Sequence, residues 1–209
     1  THYGDLMDYP SLARVVSTVM PDEIYNLGAM SHVRISFDMP SFTIQTNALG
    51  VLNMLEVYRT ICPNAKFYQA SPRRGTNFVT NKVIRGAVAI KKGINDKLEL
   101  GNMDSYRDWG HSKDYVRAMH MIINHNTPEE FIVATGETHS VRDLCKTVFD
   151  KMGLDYRDYI VQNPKFMRPE ELKYLKGDPS KARSVLGWEP DYTFSSMIDE
   201  MIERWDKEL

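Results

Sequence analysis

The hydrophobic positions of this chain fall into helical stripes and short apolar runs. A stripe at positions 12, 15, 16 and 19 predicts a helix over 11–20, and compact runs predict strands over 23–27 and 67–70. Between those strands, residues 41–60 carry a longer apolar stripe: Ile44, Ala48, Val51, Leu52 and Leu55. Helix and strand alternate with short connections, which is typical of βαβ units, so we expect a parallel sheet with right-handed crossovers.

The second part of the chain shows the same kinds of pattern. It predicts three helices and two strands, with helices over 78–91, 114–124 and 140–152 and strands over 97–100 and 130–134. Ser140 is the expected N-cap of the third of these helices. Residues 155–176 show weak periodicity and predict a loop with short pieces of structure. Two more helices are expected, one over 178–186 and a last one that starts at Ser195 or Ser196.

The stretch Lys66–Gly75, with the sequence KFYQASPRRG, joins a predicted strand to a basic turn. Ligands of open α/β sheets lie outside the carboxyl ends of the strands. The adjacent guanidinium groups of Arg73 and Arg74 can pair with phosphate oxygens. The turn is therefore a candidate anion-binding site, and the alternative is a solvated basic turn.

Composition and charge exclude several classes of protein. The chain has 209 residues, of which 42% are hydrophobic and 26% charged, as in an ordinary soluble globular protein. A net charge of −2 argues against a nucleic-acid-binding surface. No apolar run approaches the roughly 20 residues of a membrane span, so no membrane partner is expected. The chain begins with Thr1, a hint that it does not start where its gene starts.

The two cysteines and the glycines set further limits. Cys62 and Cys145 lack the spacing of a metal site or a disulfide framework, which predicts reduced, buried thiols in a cytoplasmic protein without a metal. No GxGxxG motif or P-loop occurs in the 209 residues. The patterns alone therefore predict an α/β protein with an incomplete parallel sheet.

A set of ordered sequence words is more specific than the periodicity. In chain order they are PDEIYNLGAMSHVRISFDMP, FYQAS, SPRRGTNFVTNKV, LGNMDSYRDWGHSKDYV, ATGETHSVRD and RPEELKYLKGDPSKARSVLGWEP. Together they resemble the GDP-mannose 4,6-dehydratases, a family of extended short-chain dehydrogenases/reductases, over nearly the whole chain. The resemblance implies a Rossmann-type domain that holds NADP, over 1–71 and about 103–135. It also implies a smaller, interleaved domain that binds the sugar nucleotide, over 72–102 and about 136–209.

The resemblance implies a set of cofactor-binding residues near the first predicted strand. Asp5 would accept a hydrogen bond from the adenine amine and Leu6 would pack on the ring, although Gly-Asp-Leu is also typical of a strand-end turn. Small residues such as Gly28 and Ala29 would let the dinucleotide approach the backbone. The full implied set is Asp5, Leu6, Leu27, Gly28, Ala29, Met30, Ser31, Phe42 and Arg74.

A second set is implied for GDP-mannose: Lys82, Gly101, Asn102, Arg107, Arg168 and Glu171. Two arginines and a lysine suit a diphosphate, and a carboxylate suits the guanine edge or a sugar hydroxyl. Taken singly, each of these cations would be an ordinary surface residue. Four neighbouring or related positions are interpreted as structural or core residues instead: His32, Asp108, Trp109 and His111.

The family's reaction converts GDP-mannose to GDP-4-keto-6-deoxymannose. NADP takes a hydride from C4 of the hexose, water is eliminated across C5–C6, and the hydride returns to C6. A Tyr-x-x-x-Lys pair, a Thr or Ser and a Glu carry this chemistry, and in the family they follow the strand that here ends at Ser71. In this chain that strand runs directly into Pro72, so no catalytic residue is assigned.

Two explanations of the missing segment remain open. The protein is an intact dehydratase of which this sequence omits segments, or the deletion is real and leaves an inactive nucleotide-binding relative. Loss of a central strand would leave unpaired backbone, which favours the first explanation and predicts a break between Ser71 and Pro72. Another sugar-nucleotide epimerase or reductase and a non-catalytic regulator are further alternatives. The resemblance also implies a homodimer or homotetramer, with helix 41–60 at the dimer interface and Arg34 near a second contact.

Overall fold

The computed structural model describes residues 1–30, 38–69, 78–167 and 172–209. The chain forms two compact units, which we call unit 1 and unit 2. Unit 1 comprises Thr1–Gly75 and Ile122–Pro128, and unit 2 comprises Thr76–Met121 and Glu129–Leu209. Of the range 103–135 that was assigned to the cofactor domain, only Ile122–Pro128 falls in unit 1, and the assignment of a ligand to each unit stays a prediction.

Unit 1 is a two-stranded parallel sheet with helices. Its elements are α1 (Tyr9–Val19), β1 (Glu23–Asn26), α2 (Pro40–Ile44), a π-helical turn (Gln45–Leu49), α3 (Gly50–Ile61) and β2 (Lys66–Gln69). The strands pair in parallel, with Glu23 opposite Lys66 and Asn26 opposite Gln69. The predicted order helix, strand, helix, strand and the parallel pairing are confirmed.

The apolar stripe of the long helix in unit 1 is not its buried face. Ile44 is 63% exposed and Leu52 is 51% exposed, whereas Val57 is fully buried. The buried residues of α3 lie on another face, at Gly50, Met54 and Val57. Gly50 turns this face inward because a Cβ there would lie only 2.9 Å from the Cβ of Leu6, so glycine allows Leu6 to approach the helix.

Unit 2 contains most of the secondary structure. Its elements are α4 (Val79–Lys91), β3 (Leu98–Leu100), β4 (Tyr106–Arg107), α5 (Ser112–Ile123), β5 (His139–Ser140), α6 (Val141–Lys151), α7 (Tyr156–Tyr159), β6 (Ile160–Gln162), a 3₁₀ turn (Pro164–Phe166), β7 (Tyr174–Leu175), α8 (Ser180–Leu186) and α9 (Phe194–Glu208). The last two residues of α5 belong to unit 1. β3 pairs with β6 in parallel, and β4 lies between β5 (antiparallel) and β7 (parallel).

Two sequence predictions in unit 2 need correction. Residues 130–134 form no strand, because their apolar side chains pack on a cluster around Trp188 and no described strand pairs with them. The last helix begins at Phe194 and not at Ser195 or Ser196. Thr193 is its cap, since the Thr193 hydroxyl accepts the N–H of Ser196 and the Ser196 hydroxyl accepts the N–H of Thr193.

The main core of unit 2 lies between α4, α6 and α9. Its largest fully buried side chains include Ile84, Leu144, Phe149 and Ile198, and burial of each stabilises the fold by about 1.5–3 kcal/mol. Ser140 caps α6 as predicted, by accepting the N–H of Asp143 at 3.0 Å. These contacts hold α4 and β3, the two elements that carry most of the candidate site.

Both cysteines are free and buried, as predicted. Burial raises the pKa of Cys145 to about 12 and also raises the pKa of Cys62. A raised pKa keeps the thiol protonated at neutral pH, and the thiol is then a poor nucleophile. Neither cysteine is therefore a candidate catalytic residue.

Candidate nucleotide-sugar site

The candidate site of unit 2 lies at the carboxyl ends of β3 and β6. These strands pair in parallel, with Leu100 opposite Gln162, so the chain leaves both strands at the same edge. Gly101 follows β3 directly, and Asn163 leads from β6 into the 3₁₀ turn Pro164–Phe166. This edge is where ligands bind in parallel α/β sheets.

Gly101 allows the 3₁₀ turn to pack against the end of β3. A Cβ at Gly101 would lie 2.2 Å from the carbonyl oxygen of Phe166, a distance that no side chain tolerates. Two hydrogen bonds fasten the same junction: Asn163 N–H donates to the Leu100 carbonyl at 2.8 Å, and Gln162 Nε2 donates to the Gly101 carbonyl at 3.2 Å. The role of Gly101 seen in the structure is therefore close backbone packing.

Lys82 reaches this edge from the first turn of α4. Its Nζ lies 3.9 Å from the centroid of the Phe166 ring. Partial burial lowers the pKa of Lys82, and the carboxylate of Glu99 opposes that shift. Within the described ranges Lys82 forms no salt bridge and no hydrogen bond, so its ammonium is half-buried without a bound counter-charge.

Asn102 and Arg107 both make contacts within the protein. Asn102 Oδ1 accepts the N–H of Asp104 at 2.9 Å and Asn102 Nδ2 donates to the Ser105 hydroxyl at 2.9 Å, which fixes the turn after β3. Arg107 Nη1 donates to the carbonyl of Leu172 at 2.8 Å. Asn102 thereby shapes the loop, and Arg107 holds the chain that enters β7.

Arg168 and Glu171 lie outside the described residues. The residues on either side of them are anchored at the two places already named: Phe166 beside Gly101 and Lys82, and Leu172 at Arg107. The four predicted charged residues of the sugar-nucleotide site therefore belong to one β3–β4 and β6–β7 region. The structure brings Lys82, Gly101 and the 3₁₀ turn together, and Phe166 is a residue of this region that the sequence patterns did not single out.

The predicted cofactor residues of unit 1 lie near the carboxyl end of β1. A Cβ at Gly28 would lie 2.8 Å from Leu6 Cδ1, so glycine allows these two predicted residues to touch. Asp5 Oδ1 accepts the N–H of Met7 at 2.9 Å, and the Leu6 carbonyl accepts from Asn53 Nδ2 at 2.9 Å. The structure thus joins Leu6 and Gly28, and Asp5 shapes the turn beside them.

Asn47 holds the backbone that follows β1. The N–H of Met30 donates to Asn47 Oδ1 at 2.7 Å, and Asn47 Nδ2 donates to the Met30 carbonyl at 3.0 Å. Leu27 and Phe42 are partly exposed, at 36% and 44%, and Ala29 is half-buried. Asn47 was not predicted, although an amide within an apolar helical stretch was a signal that could have identified it.

Several other predictions lie outside the described residues. They are the contacts of Ser31, His32, Arg34 and Arg74, and the predicted break between Ser71 and Pro72. The proposed anion-binding turn of KFYQASPRRG also falls there, since the described part of that stretch ends with Gln69.

The RDWGH segment makes structural contacts. The carboxylate of Asp108 accepts three hydrogen bonds from Thr135 and Gly136, at 2.7–2.9 Å. The ring of His111 stacks on Tyr192 with 3.9 Å between centroids, and Trp109 stacks on Phe194. These contacts agree with the interpretation of the segment as a structural one.

Two searches of the described residues address metal binding and membrane insertion. Among residues 1–30, 38–69, 78–167 and 172–209, no group of three or more His, Cys, Asp or Glu side chains is placed to hold a metal ion. No helix in the same ranges is both long and apolar enough to cross a membrane.

Solved structures confirm the fold. The structure of RMD from Pseudomonas aeruginosa complexed with NADPH superposes with a TM-score of 0.87 at 20% identity, and covers 100% of this chain and 89% of that one. A UDP-glucose 4-epimerase from Thermotoga maritima with UDP-glucose gives a TM-score of 0.81 at 19% identity, over 98% of this chain and 84% of the other. At this identity the likeness confirms the predicted α/β, Rossmann-type fold and nothing finer.

Sequence relatives are closer. GDP-mannose 4,6-dehydratases from Drosophila melanogaster and Vibrio cholerae are each 34% identical, over 97% and 96% of this chain and 70% and 77% of their own lengths. The alignment with GDP-mannose 4,6 dehydratase 1 of Arabidopsis thaliana is 33% identical and covers 100% of this chain and 74% of the relative. That alignment is 268 residues long although this chain has 209, so 59 of its positions match nothing here.

A family model described as GDP-mannose 4,6 dehydratase matches the chain in two segments, residues 1–72 and 70–201. The two matches meet inside the stretch KFYQASPRRG, where the resemblance predicted a missing segment. Together they cover nearly the whole chain. The chain belongs to the GDP-mannose 4,6-dehydratase family.

Proposed function

We propose that this chain binds GDP-mannose at the carboxyl edge of β3 and β6, as the substrate-recognition part of a GDP-mannose 4,6-dehydratase. The observation that carries the proposal is the half-buried ammonium of Lys82. It lies over the Phe166 ring, at a strand edge suited to ligands, without a described counter-charge. A diphosphate would supply the missing negative charge.

The predicted residues divide the ligand among themselves. Lys82 provides a point charge for the diphosphate, and Arg107 and Arg168 add guanidinium groups that pair with phosphate oxygens. Glu171 accepts from the guanine edge or a sugar hydroxyl. Gly101 and Asn102 shape the floor of the site, through the close packing on Phe166 and the turn to Ser105.

The residues of unit 1 fit an NADP cofactor in part. Gly28 lies bare beside Leu6, which leaves a strand end that a dinucleotide can approach, and Asp5 retains a second carboxylate oxygen, Oδ2, that accepts nothing from the described residues. The relatives' fold in complex with NADPH and with NAD supports a nicotinamide cofactor. A glycine-rich loop for the pyrophosphate does not occur within the 209 residues.

The proposed reaction converts GDP-mannose to GDP-4-keto-6-deoxymannose. NADP, when bound, supplies the acceptor and donor of the hydride. The acid–base residues of the family lie on a Tyr-x-x-x-Lys segment, and none of the tyrosines of this chain has a lysine four positions later. Turnover therefore requires a form of the protein that carries the segment missing between Ser71 and Pro72.

A second function follows if no such form exists. The chain would then be a binding-only relative that holds GDP-mannose without converting it. The specific observation in its favour is the 59 alignment positions without a counterpart in this chain. An NADP-linked epimerase or reductase for another sugar nucleotide is disfavoured by the family match. Homodimeric or homotetrameric assembly and a cytoplasmic location remain predictions from the resemblance.

The binding proposal is tested by calorimetric titration of the 209-residue chain with GDP-mannose. We expect binding, and a dissociation constant about tenfold higher in Lys82→Ala, because a hydrogen bond to a charged group contributes about 1.5–3 kcal/mol. Lys91→Ala is the matched control, since Lys91 is exposed at the other end of α4. Equal affinity of Lys82→Ala and the unaltered chain would refute the site.

The catalytic proposal needs a separate experiment. The Drosophila melanogaster relative's segment is inserted between Ser71 and Pro72, and product is followed by mass spectrometry after incubation with GDP-mannose and NADP. We expect GDP-4-keto-6-deoxymannose from the chimera and none from the 209-residue chain. Product from the 209-residue chain would contradict the assignment of the acid–base residues to the missing segment.

A further inference from the structure

Phe166 is the closest described partner of the Lys82 ammonium. The distance of 3.9 Å between Lys82 Nζ and the ring centroid lies well within the range of about 6 Å for a cation–π contact. The ring is 43% exposed, so one part of it contacts Lys82 while another part faces solvent. No sequence pattern assigned this residue a role.

The backbone around Phe166 is held in place by contacts with β3 and its flanks. Phe166 N–H donates to the Asn163 carbonyl at 3.0 Å, and Asn163 Nδ2 donates to Glu99 Oε2 at 3.1 Å. The close approach to Gly101 fixes the Phe166 carbonyl on the other side. The ring is therefore presented to Lys82 by a fastened turn.

Lys82 differs in its partner from other lysines of unit 2. Several of those end on carboxylates within 3.0 Å, as in the pairs Lys113–Glu200, Lys146–Asp150, Lys151–Asp199 and Lys181–Glu129. A carboxylate neutralises an ammonium, whereas an aromatic face attracts it and leaves the full positive charge in place. Lys82 is thus held in position and still available to an anion.

We propose that Phe166 is a positioning residue for the diphosphate of a nucleoside-diphosphate sugar. It holds the Lys82 ammonium at the carboxyl edge of β3 and β6 by a cation–π contact, and it acts on the ligand through Lys82. The inference rests on the proposed function, because it assumes that Lys82 binds GDP-mannose. It adds the means by which a flexible lysine side chain is kept ready for that ligand.

A double-mutant cycle with GDP-mannose as the titrant tests the inference. We expect Phe166→Leu to raise the dissociation constant about three- to tenfold, the effect of a partly buried cation–π contact, and Phe166→Tyr to stay within about twofold. In the Lys82→Ala background, Phe166→Leu should change the dissociation constant by less than about twofold. A merely structural role would lower affinity equally in both backgrounds.

Phe131→Leu is the matched control, because Lys181 lies over the Phe131 ring at 4.9 Å but ends on Glu129. It should leave GDP-mannose affinity unchanged. Thermal unfolding of each variant checks folding, and Phe166→Tyr keeps the test valid if Phe166→Leu does not fold, since loss of affinity in a folded Phe166→Tyr would count against the inference.

The outcomes separate this inference from the proposed function. Unchanged affinity in Phe166→Leu, or the same loss with and without Lys82, overturns the role of Phe166 while Lys82 remains a ligand-binding residue. The second result would indicate a direct contact of the ring with the ligand. Failure of the unaltered chain to bind GDP-mannose overturns the proposed function itself.

Discussion

Gly101 shows how one residue decides the geometry of the candidate site. A single methyl group there would lie 2.2 Å from the Phe166 carbonyl oxygen, and backbone on both sides leaves it no room. The 3₁₀ turn would have to move away from β3, and with it the ring beneath Lys82. Stability and ligand binding are therefore linked at this position.

We expect Gly101→Ala to lower the free energy of unfolding by about 1–3 kcal/mol, the usual cost of overpacking, and to weaken GDP-mannose binding. Urea denaturation and calorimetric titration measure the two effects. Gly4→Ala is the control, since a Cβ at Gly4 would meet Leu12 at an ordinary 3.8 Å. A Gly101→Ala protein with unchanged stability would show that the turn does not pack as described.

Single residues also mark how far sequence patterns reach into the site. Gly101 and Lys82 were assigned from the resemblance, and the structure places both at the same edge. Phe166 and Asn47 were missed, because each acts on a partner far away in sequence: Phe166 on Lys82, and Asn47 on the backbone of Met30. Periodicity records local order and carries no information on such pairs.

At the scale of elements, helix α6 was predicted best because its signals are local. Ser140 and Asp143 form a reciprocal cap, in which Ser140 Oγ accepts the N–H of Asp143 and Asp143 Oδ2 accepts the N–H of Ser140. The run 130–134 has a strand's composition but no described strand beside it. A helix can form from its own residues, whereas a strand needs a partner, which the sequence does not identify.

The capping carboxylate of α6 has a pH signature. Burial alone would raise the pKa of Asp143, but the hydrogen bonds from Ser140 and the charges of His139 and Arg142 outweigh it and hold the pKa below its ordinary 3.8. The ionised form is thus favoured by folding. Its contribution is present above pH 3.8 and is lost as the pH falls through the lowered folded pKa.

Asp143→Asn should therefore destabilise the protein at pH 7, by on the order of 1 kcal/mol as for a helix cap, and by less below pH 3.8. Chemical denaturation at both pH values measures the difference from the unaltered chain. Asp150→Asn, in the last turn of the same helix, removes an exposed pair with Lys146 and should stay within about 0.5 kcal/mol. A pH-independent deficit in Asp143→Asn would exclude the ionised cap.

At the scale of the whole molecule, the two units differ in the size of their cores. The described buried cluster of unit 1 has six residues around Val57, while the main cluster of unit 2 has sixteen around Phe149. The exposed stripe of the long helix in unit 1, with Leu52 at 51% exposure, adds little burial. Sequence patterns predicted the helix but not which of its faces would be covered, since that depends on the neighbours.

Because burial of apolar surface is the main stabilising term, unit 1 should unfold at a lower urea concentration than unit 2. The free cysteines report on this separately, because Cys62 is buried in unit 1 and Cys145 in unit 2. We expect brief maleimide labelling across a urea series, read by peptide mass spectrometry, to modify Cys62 before Cys145. Equal labelling of both thiols in fully denaturing urea is the control for intrinsic reactivity. Modification of the two thiols at one urea concentration would instead mean that both units unfold together, so that the smaller core of unit 1 does not set its stability.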